Sequence, residues 1–253
     1  MELRGQAALV TGGGSGLGAA TCEALAASGA KVAVLDRNEA AARAVAARIG
    51  GVAVACDVAE SASAEAAVAQ ARVAHGPARL LVNCAGIGNA GRIVGRDGPL
   101  ALPAFEQVIR VNLIGTFNVL RLAAAEMSAL DALDDGERGV IVNTASIAAY
   151  EGQVGQAAYA ASKAGVVGLT LPAAREFARV GIRVMTIAPG LIETPMFNGL
   201  PDDVRRGLAA SVPFPSRLGL PAEYAALVLH IAANRFLNGE TIRLDGALRM
   251  APR

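Results

Sequence analysis

A tyrosine and a lysine four residues apart are the clearest candidates for chemistry in this sequence. Tyr159 and Lys163 lie in the motif YAASK, and this spacing places both side chains on one face of a helix. An ammonium group stabilises a nearby phenolate, so we expect Lys163 to lower the pKa of Tyr159 from about 10 toward the range of an acid–base catalyst. Taken alone, the pair would be an ordinary surface contact, because side chains at this spacing often pair on helices.

Two further residues extend the pair to a candidate catalytic set of four. Ser146 follows an apolar run in NTAS, and its hydroxyl can donate a hydrogen bond to a substrate oxygen that gains negative charge during hydride transfer. Asn112, in VNLIGTF, lies inside a predicted helix, where asparagine is usually unfavourable. We expect Asn112 to hold Lys163 through a water molecule and to complete a proton path to solvent.

A glycine-rich segment near the start predicts a nucleotide site. TGGGSGLG, residues 11–18, follows an apolar run and opens a helical pattern. Gly12, Gly16 and Gly18 would let backbone amides approach a pyrophosphate at a helix N-terminus, although a tight strand-to-helix turn would need glycine for steric reasons alone. Neither a GxxxxGK(S/T) loop nor a GxSxG elbow fits the segment, which disfavours nucleotide hydrolysis and esterase chemistry.

Acidic residues at two predicted strand ends favour NAD as the dinucleotide. Asp36 ends the second predicted strand, where a carboxylate can bond a ribose diol and repel a 2′-phosphate. Arg37 is the competing signal, because a guanidinium can pair with that phosphate and permit NADP. Asp57 ends the third predicted strand and can accept a hydrogen bond from an adenine amino group, with Val58 packing nearby.

Segments after two later strands complete the predicted cofactor site. NCAG ends the fourth strand and APGLIETP follows the sixth, so both lie at the carboxyl edge, where open α/β sheets bind ligands. The Ile192 backbone and the Thr194 hydroxyl can orient a nicotinamide carboxamide. The predicted cofactor residues are Gly12, Ser15, Gly16, Leu17, Gly18, Asp36, Asp57, Val58, Asn83, Cys84, Ala85, Gly86, Tyr159, Lys163, Pro189, Gly190, Ile192 and Thr194.

The elements that must position these residues alternate along the chain. Apolar β-type runs alternate with Ala-rich segments of helical spacing, which predicts repeated βαβ units. The predicted strands are residues 7–10, 31–35, 52–55, 80–83, 140–144, 183–187 and 240–244. The predicted helices are residues 16–28, 39–48, 64–75, 102–127, 159–180 and 222–233. We therefore expect a single-domain α/β Rossmann fold over residues 1–253, with a doubly wound, mostly seven-stranded parallel sheet and helices on both faces.

Turn-rich segments and bulk composition bound the remaining possibilities. Residues 88–103, 128–139 and 191–220 interrupt the alternation and are the candidate substrate loops. Lys and Arg total 23 against 22 for Asp and Glu, so no net field favours nucleic acid or an anionic membrane. Three cysteines without a CxxC motif and two histidines disfavour disulfides and a metal site. Without a signal-peptide pattern or an 18-residue uncharged apolar run, we expect a soluble, cytoplasmic protein.

Taken together, the motifs resemble those of the short-chain dehydrogenase/reductase family over nearly the whole chain. They are TGGGSGLG, NCAG, Asn112, Ser146, YAASK and APG, in this order. The resemblance implies that Asn112, Ser146, Tyr159 and Lys163 form the catalytic tetrad of that family. It also implies interconversion of a secondary alcohol and a ketone with NAD, a small-molecule substrate and a homotetramer.

Longer segments are similar to a subgroup of that family, the type 2 3-hydroxyacyl-CoA dehydrogenases. The segments are NTASIAAYEGQVGQAAYAASKAG, RVMTIAPGLIETPM, VPFPSRLGLPAEYAALV and FLNGETIRLDGALRM. This similarity implies oxidation of L-3-hydroxyacyl-CoA with NAD in fatty-acid or branched-chain breakdown, with extra loops at 88–103 and 128–139. It places Arg92 and Arg96 at the CoA phosphates and Gln153, with Ser146 and Tyr159, at the acyl thioester. Glu193 departs from the subgroup, whose members often have a smaller residue there.

Three alternatives stay open at the level of the sequence. The same fold and tetrad serve 3-oxoacyl thioester reductases and the reductases of steroid or sugar ketones. A protein of another class, a scaffold subunit that binds a dinucleotide without turnover, would share the glycine-rich segment. Such a scaffold has no need for Ser146, Tyr159 and Lys163 together, which favours an enzyme.

Overall fold

Seven parallel strands form the centre of the fold. The computed structural model describes residues 1–88, 90–96, 98–195 and 201–252. The strands are β1 (Ala7–Thr11), β2 (Lys31–Asp36), β3 (Val52–Ala55), β4 (Leu80–Asn83), β5 (Val94–Gly95), β6 (Gly98–Pro99), β7 (Gly139–Thr144), β8 (Ile182–Pro189) and β9 (Thr241–Leu244). The main sheet has the order β3-β2-β1-β4-β7-β8-β9, and every pair in it is parallel.

Helices alternate with these strands along the chain. They are α1 (Gly16–Ala27), α2 (Glu39–Ile49), α3 (Ser61–His75), α4 (Leu102–Ile109), a π-helical turn (Arg110–Ile114), α5 (Gly115–Ser128), α6 (Ala157–Ala178), α7 (Asp202–Ala210) and α8 (Pro221–Ala233). The structure thus confirms the predicted doubly wound α/β fold.

The central strands are apolar at successive positions because both of their faces are covered. Every residue of β1, β7 and β8 is buried, as expected for a parallel sheet between two helical layers. Leu9 belongs to a core with α3, α5 and α6, whereas Val10 belongs to a core with α1, α2 and α8. Adjacent residues of one strand therefore pack against opposite helical layers.

The order of the strands creates a crevice beside β1. From β1 the chain runs outward through β2 to β3, and it then returns across the sheet to β4 on the other side of β1. The helices that follow β1 and β4 consequently lie on opposite faces, which separates the two strand ends and opens a ligand site there. Thr11 and Asn83, paired across β1 and β4, are the last residues of these strands.

Two of the predicted substrate loops contain an α-helix or β-strands that the sequence did not predict. The segment 191–220 contains α7, which starts after Pro201 and carries two acidic residues in its first turn. The segment 88–103 contains the short antiparallel hairpin of β5 and β6. Asn89 and Asp97 in that segment, and residues 196–200 in the other, lie outside the described residues.

The long apolar helix predicted over residues 102–127 is interrupted. In its π-helical turn the Gly115 amide donates to the carbonyl of Arg110, one residue farther back than in an α-helix. An 18-residue window within Leu102–Ser128 has a mean hydropathy of 1.3, enough by length and composition for a membrane span, and half of that window is buried inside the fold. The apolar residues of this run are thus partly accounted for by packing within the protein.

Candidate active site

The glycine-rich segment forms one wall of a cavity of about 520 Å³ at the crevice beside β1. Gly12 has φ +64°, and a Cβ there would lie 2.7 Å from the Ala85 amide nitrogen. A Cβ on Gly18 would lie 2.1 Å from the Gly12 carbonyl oxygen. The loop can fold only because these side chains are absent. The Ser15 side chain does not cap the first turn of α1, so the backbone amides of that turn are available to an anion.

Asp36 lies in the same cavity, with its carboxylate held by two backbone amides. Oδ2 accepts a hydrogen bond from the Gly14 amide at 2.9 Å, and Oδ1 accepts one from the Asn38 amide at 2.8 Å. Each oxygen keeps a second lone pair for a ribose hydroxyl. Arg37 also lines this cavity and is exposed.

The far end of the cavity contains the predicted adenine contacts. Asp57 and Val58 both line it. Oδ1 of Asp57 accepts from the Ala59 amide at 3.0 Å, which fixes the side chain at the end of β3. Val58 is buried, and its carbonyl accepts a hydrogen bond from Asn118 on α5. Hydrogen bonds within the protein thus hold both the Asp57 side chain and the Val58 main chain in place.

Asn83 is a predicted cofactor residue whose buried side chain does not line this cavity. Its side chain is buried and donates to Asn143 Oδ1 at 2.9 Å, and its Oδ1 accepts from Thr11 at 3.4 Å. The amide therefore bridges the ends of β1, β4 and β7. Its neighbours along the chain, Cys84 to Gly86, do line the cavity, and a contact of Asn83 with the cofactor stays a prediction.

A second cavity, of about 440 Å³, adjoins the first and contains the predicted catalytic side chains. Both cavities are lined by Leu17, Cys84, Gly86, Gly88 and Thr194. Ser146, Tyr159 and Lys163 line only the second cavity. A dinucleotide seated on the glycine loop would therefore bring its reactive end to the boundary where these three residues lie.

The Tyr159 phenol is buried near Ser146. Burial raises the pKa of the Tyr159 phenol, and the nearby Ser146 hydroxyl opposes that rise. Lys163 Nζ lies 5.8 Å from the centre of the tyrosine ring. The lowering of the Tyr159 pKa that we expected from Lys163 is thus not found in the protein alone, because burial outweighs the opposing effects.

Lys163 is buried at the bottom of the second cavity. Among the described residues, its Nζ has one hydrogen bond, to the main-chain carbonyl of Thr144 at 2.8 Å. No carboxylate pairs with it there, and burial lowers the pKa of its ammonium group to about 8. Lys163 consequently sits close to its own titration point at neutral to mildly alkaline pH, as a group that tunes acid–base chemistry would.

Asn112 is buried and hydrogen-bonds to the segment after β4 and to α6. Its Oδ1 accepts from the Ile87 amide at 2.8 Å, and its Nδ2 donates to the Ile87 carbonyl at 2.9 Å and to Ser162 Oγ at 3.0 Å. The side chain thus anchors the segment after β4 to α6. Asn112 and Lys163 converge on Gly86 without bonding each other, so a water-mediated link between them stays a prediction.

The segment after β8 closes the second cavity on the opposite side. Pro189, the last residue of β8, lines it together with Gly190, Ile192 and Thr194, whose contacts with the cofactor stay a prediction. The Gly190 amide donates to the Leu244 carbonyl at 2.9 Å, and a Cβ on Gly190 would lie 2.8 Å from the Asp245 Cα. The tight turn after β8 is therefore held by β9.

Gln153 and several residues that the sequence did not reveal complete the substrate side. Gln153 lines the second cavity, and its Nε2 donates to the Ala251 carbonyl at 2.9 Å. Leu208 from α7 and Met250 from the C-terminal segment contribute apolar walls. In the sequence, each of them is only an apolar side chain in a polar stretch. Sequence reasoning missed them because only the fold brings them to the site.

These features fit a nicotinamide dinucleotide and the chemistry of hydride transfer. The glycine cradle, the open helix N-terminus and the oriented Asp36 carboxylate match its pyrophosphate and ribose, and the boundary between the cavities offers a phenol, a hydroxyl and a cation at one point. A family model for short chain dehydrogenase matches residues 6–205. The chain belongs to this family and is an oxidoreductase that binds a nicotinamide dinucleotide.

Comparison with individual proteins gives a more specific similarity than the family model does. The chain is 54% identical to the bovine protein named 3-hydroxyacyl-CoA dehydrogenase type-2, covering 99% of this chain and 98% of the relative. It is 51% identical to the Drosophila melanogaster protein of that name, over 99% and 100%. The crystal structure of 3-hydroxyacyl-CoA dehydrogenase type-2 from Mycobacterium avium matches with a TM-score of 0.94 and 44% identity, covering 98% of each chain.

Proposed function

We propose that this protein is a NAD-dependent 3-hydroxyacyl-CoA dehydrogenase that interconverts an L-3-hydroxyacyl-CoA and a 3-oxoacyl-CoA. The observation that carries the proposal is a surface groove next to the catalytic cavity, which together offer room for a long substrate. The second cavity shares Gln153 and Gln156 with this groove of about 420 Å³, which Arg92 also lines. An acyl chain among Leu208 and Met250, a pantetheine arm in the groove and a phosphate at Arg92 would occupy the cavity and the groove in order.

The protein side chains supply positioning and proton transfer. In the oxidation direction Tyr159, as phenolate, takes the hydroxyl proton while Ser146 donates a hydrogen bond to the same substrate oxygen. Lys163 supplies the nearby positive charge and would hold the nicotinamide ribose. When bound, the oxidised nicotinamide supplies the acceptor for the carbinol hydride and a positive charge that favours the phenolate.

The geometry of Asp36 supports NAD as the dinucleotide. Two backbone amides aim its carboxylate, and a charge in this position repels the 2′-phosphate of NADP. Arg37 supports the alternative, because its exposed guanidinium lies in the same cavity and can pair with that phosphate. The two nucleotides therefore have to be compared directly.

The test is the reduction of acetoacetyl-CoA followed by nicotinamide absorbance, with NADH and NADPH in parallel and a steroid ketone as the competing substrate. We expect NADH oxidation with acetoacetyl-CoA. Tyr159→Phe removes the proton carrier and should lower kcat by roughly 10²–10⁴-fold. A preference for NADPH would favour a biosynthetic 3-oxoacyl reductase, and activity with the steroid alone would contradict the acyl-CoA substrate. Normal turnover by Tyr159→Phe would contradict the mechanism.

We also propose a homotetramer, in line with the family. Its support is the exposure of apolar side chains on the π-helical turn, α5 and α6: Ile114 is 49% exposed, Phe117 is 48% exposed and Leu171 is 43% exposed. Light scattering at assay concentration would show four copies, and a monomer would contradict this. The cytoplasmic location and the absence of membrane partners stay predictions, which cell fractionation tests.

A further inference from the structure

The largest fully buried side chain of the described structure carries a hydroxyl that the proposed mechanism does not use. Tyr224, on α8, belongs to the helical layer that packs against α1. Its Oη lies 2.7 Å from Thr144 Oγ1 and 3.7 Å from Cys84 Sγ. A phenylalanine ring would fill the same space, so the hydroxyl of Tyr224 needs a separate explanation.

The direction of these hydrogen bonds follows from the donors available. Thr144 Oγ1 lies 2.6 Å from the main-chain oxygen of Asn83, which can only accept. Because the threonine hydroxyl has one hydrogen, Tyr224 must be the donor to Thr144. Burial raises the pKa of Tyr224 well above its ordinary value, so this donor is present at every working pH.

Thr144 links this bond to the catalytic centre. Its main-chain oxygen is the acceptor for Lys163 Nζ at 2.8 Å. Its side chain is held by Asn83 from β4 and by Tyr224 from α8. Thr144 is the last residue of β7, and Ser146 follows two residues later. A small rotation at Thr144 would therefore displace the acceptor of Lys163 and the start of the segment that carries Ser146.

We propose that Tyr224 is a positioning residue for the reaction, which acts through Thr144 to hold Lys163 and Ser146 in place. The inference rests on the roles proposed above for these two residues, but it applies to any ketone that the enzyme reduces. Removing the Tyr224 hydroxyl frees the Thr144 side chain on one side. The carbonyl that stabilises the charged form of Lys163 then loses its fixed direction, and the pKa of Lys163 falls further.

The test is Tyr224→Phe, which keeps the ring and removes the hydroxyl. The chain contains two lysines, Lys31 and Lys163, so competitive labelling of amines with acetic anhydride at a series of pH values, followed by mass spectrometry, gives the pKa of each one. We expect the pKa of Lys163 to fall by roughly half a unit or more, with exposed Lys31 unchanged. This measurement needs no substrate, so it separates a failure of this inference from a failure of the acyl-CoA assignment.

Kinetics supply a second measurement. With acetoacetyl-CoA and NADH, kcat of Tyr224→Phe should fall by roughly three- to tenfold and its alkaline limb should move to lower pH, while KM stays within about twofold. Thr144→Val should reproduce the effect. The double variant should be no worse than Thr144→Val alone, because both changes break one path.

Thr170→Val is the matched control. The Thr170 hydroxyl lies 2.6 Å from the Thr186 hydroxyl, so the two form a similarly buried pair, and neither residue lines a cavity of the site. It should leave the Lys163 pKa and the pH profile unchanged. An unchanged Lys163 pKa in Tyr224→Phe, or effects of Tyr224→Phe and Thr144→Val that multiply, would overturn the proposal. So would an equal pKa shift in Thr170→Val, because the shift would then reflect general loosening.

Discussion

At the scale of single residues, Lys163 shows how function conflicts with stability. The ammonium group is buried, has one carbonyl acceptor among the described residues, and has its pKa lowered from 10.5 to about 8. In the unfolded chain the same group is solvated and keeps its ordinary pKa. Folding therefore works against the charge at every pH at which the lysine is protonated.

Replacing this lysine should stabilise the protein while abolishing activity. Because the folded pKa is the lower one, the penalty is fully present below about pH 8 and is relieved as the pH rises toward 10.5. Lys163→Met should gain roughly 2–3 kcal/mol in free energy of unfolding at pH 7 relative to the native protein, and this gain should shrink by pH 10. Urea denaturation at both pH values measures it.

Lys31→Met provides the control for that comparison. Lys31 is the other lysine in the chain and is exposed at the start of β2. Its replacement should change the free energy of unfolding little, and equally at the two pH values. If Lys163→Met also changes the free energy of unfolding equally at the two pH values, the buried ammonium group is not what destabilises the folded protein.

Other single residues show why the candidate site could be predicted only in part. Tyr159, Lys163, Ser146 and Asp36 were found from local spacing and from their places at strand ends, and the structure brings them to two adjoining cavities. Tyr224 left only a general signal, since a phenol on an apolar helix must find a partner. Its actual partner lies on a strand eighty residues away in the chain, and only the fold brings the two together.

At the scale of elements, the strands were predicted closely because buried parallel strands are short, continuous apolar runs. α7 was missed because its nine residues lie in a proline-rich segment, although Pro201 and the acidic pair after it are ordinary signals of a helix start. The π-helical turn was missed for a different reason. One extra residue leaves the apolar pattern and the composition of the helix almost unchanged, so the sequence carries no signal for this turn.

The junction of β1 and α1 supports a prediction on cofactor binding. Gly18→Ala would place a Cβ 2.1 Å from the Gly12 carbonyl oxygen, so α1 or the loop must move. We expect NADH affinity, measured by fluorescence titration, to fall by at least tenfold, since the amides at the helix start would no longer fit a pyrophosphate.

Gly168→Ala is the matched change, because it lies inside α6 and an added Cβ there would meet nothing within 4 Å. It should preserve NADH affinity and raise stability slightly, by up to about 1 kcal/mol. Equal affinities in Gly18→Ala and Gly168→Ala would show that the close approach of the loop to α1 is not needed for binding.

At the scale of the whole molecule, the site is a path along the carboxyl edge of the sheet. The dinucleotide cavity, the catalytic cavity and the groove with Arg92 adjoin one another through shared lining residues. This path crosses the ends of most strands, so its walls come from segments far apart in the chain. The proposed acyl-CoA substrate would span the last two compartments.

Arg92 allows the outer end of this path to be tested. Arg92→Ala should raise KM for acetoacetyl-CoA by roughly three- to tenfold, because a cation–phosphate contact is lost. It should leave KM unchanged for an acetoacetyl thioester without the nucleotide part. Arg96→Ala is the comparison, since Arg96 is exposed and lies outside the described lining of the groove. Equal losses for both thioesters would place the nucleotide elsewhere.

The π-helical turn also bears on which changes of chain length this protein tolerates. A π-helical turn holds one residue more than an α-helical turn, so it absorbs that residue locally and the helices on either side keep their phase. Deleting one residue from Arg110–Ile114 would therefore restore a regular helix while α5 keeps its orientation, with Asn118 still directed at Val58. Each residue in a helix advances the direction of its side chains by about 100°, so a deletion within α5 before Asn118 would rotate one part of that helix against the other by this angle. Single-residue deletions are therefore easier to accommodate in the π-helical turn than inside α5.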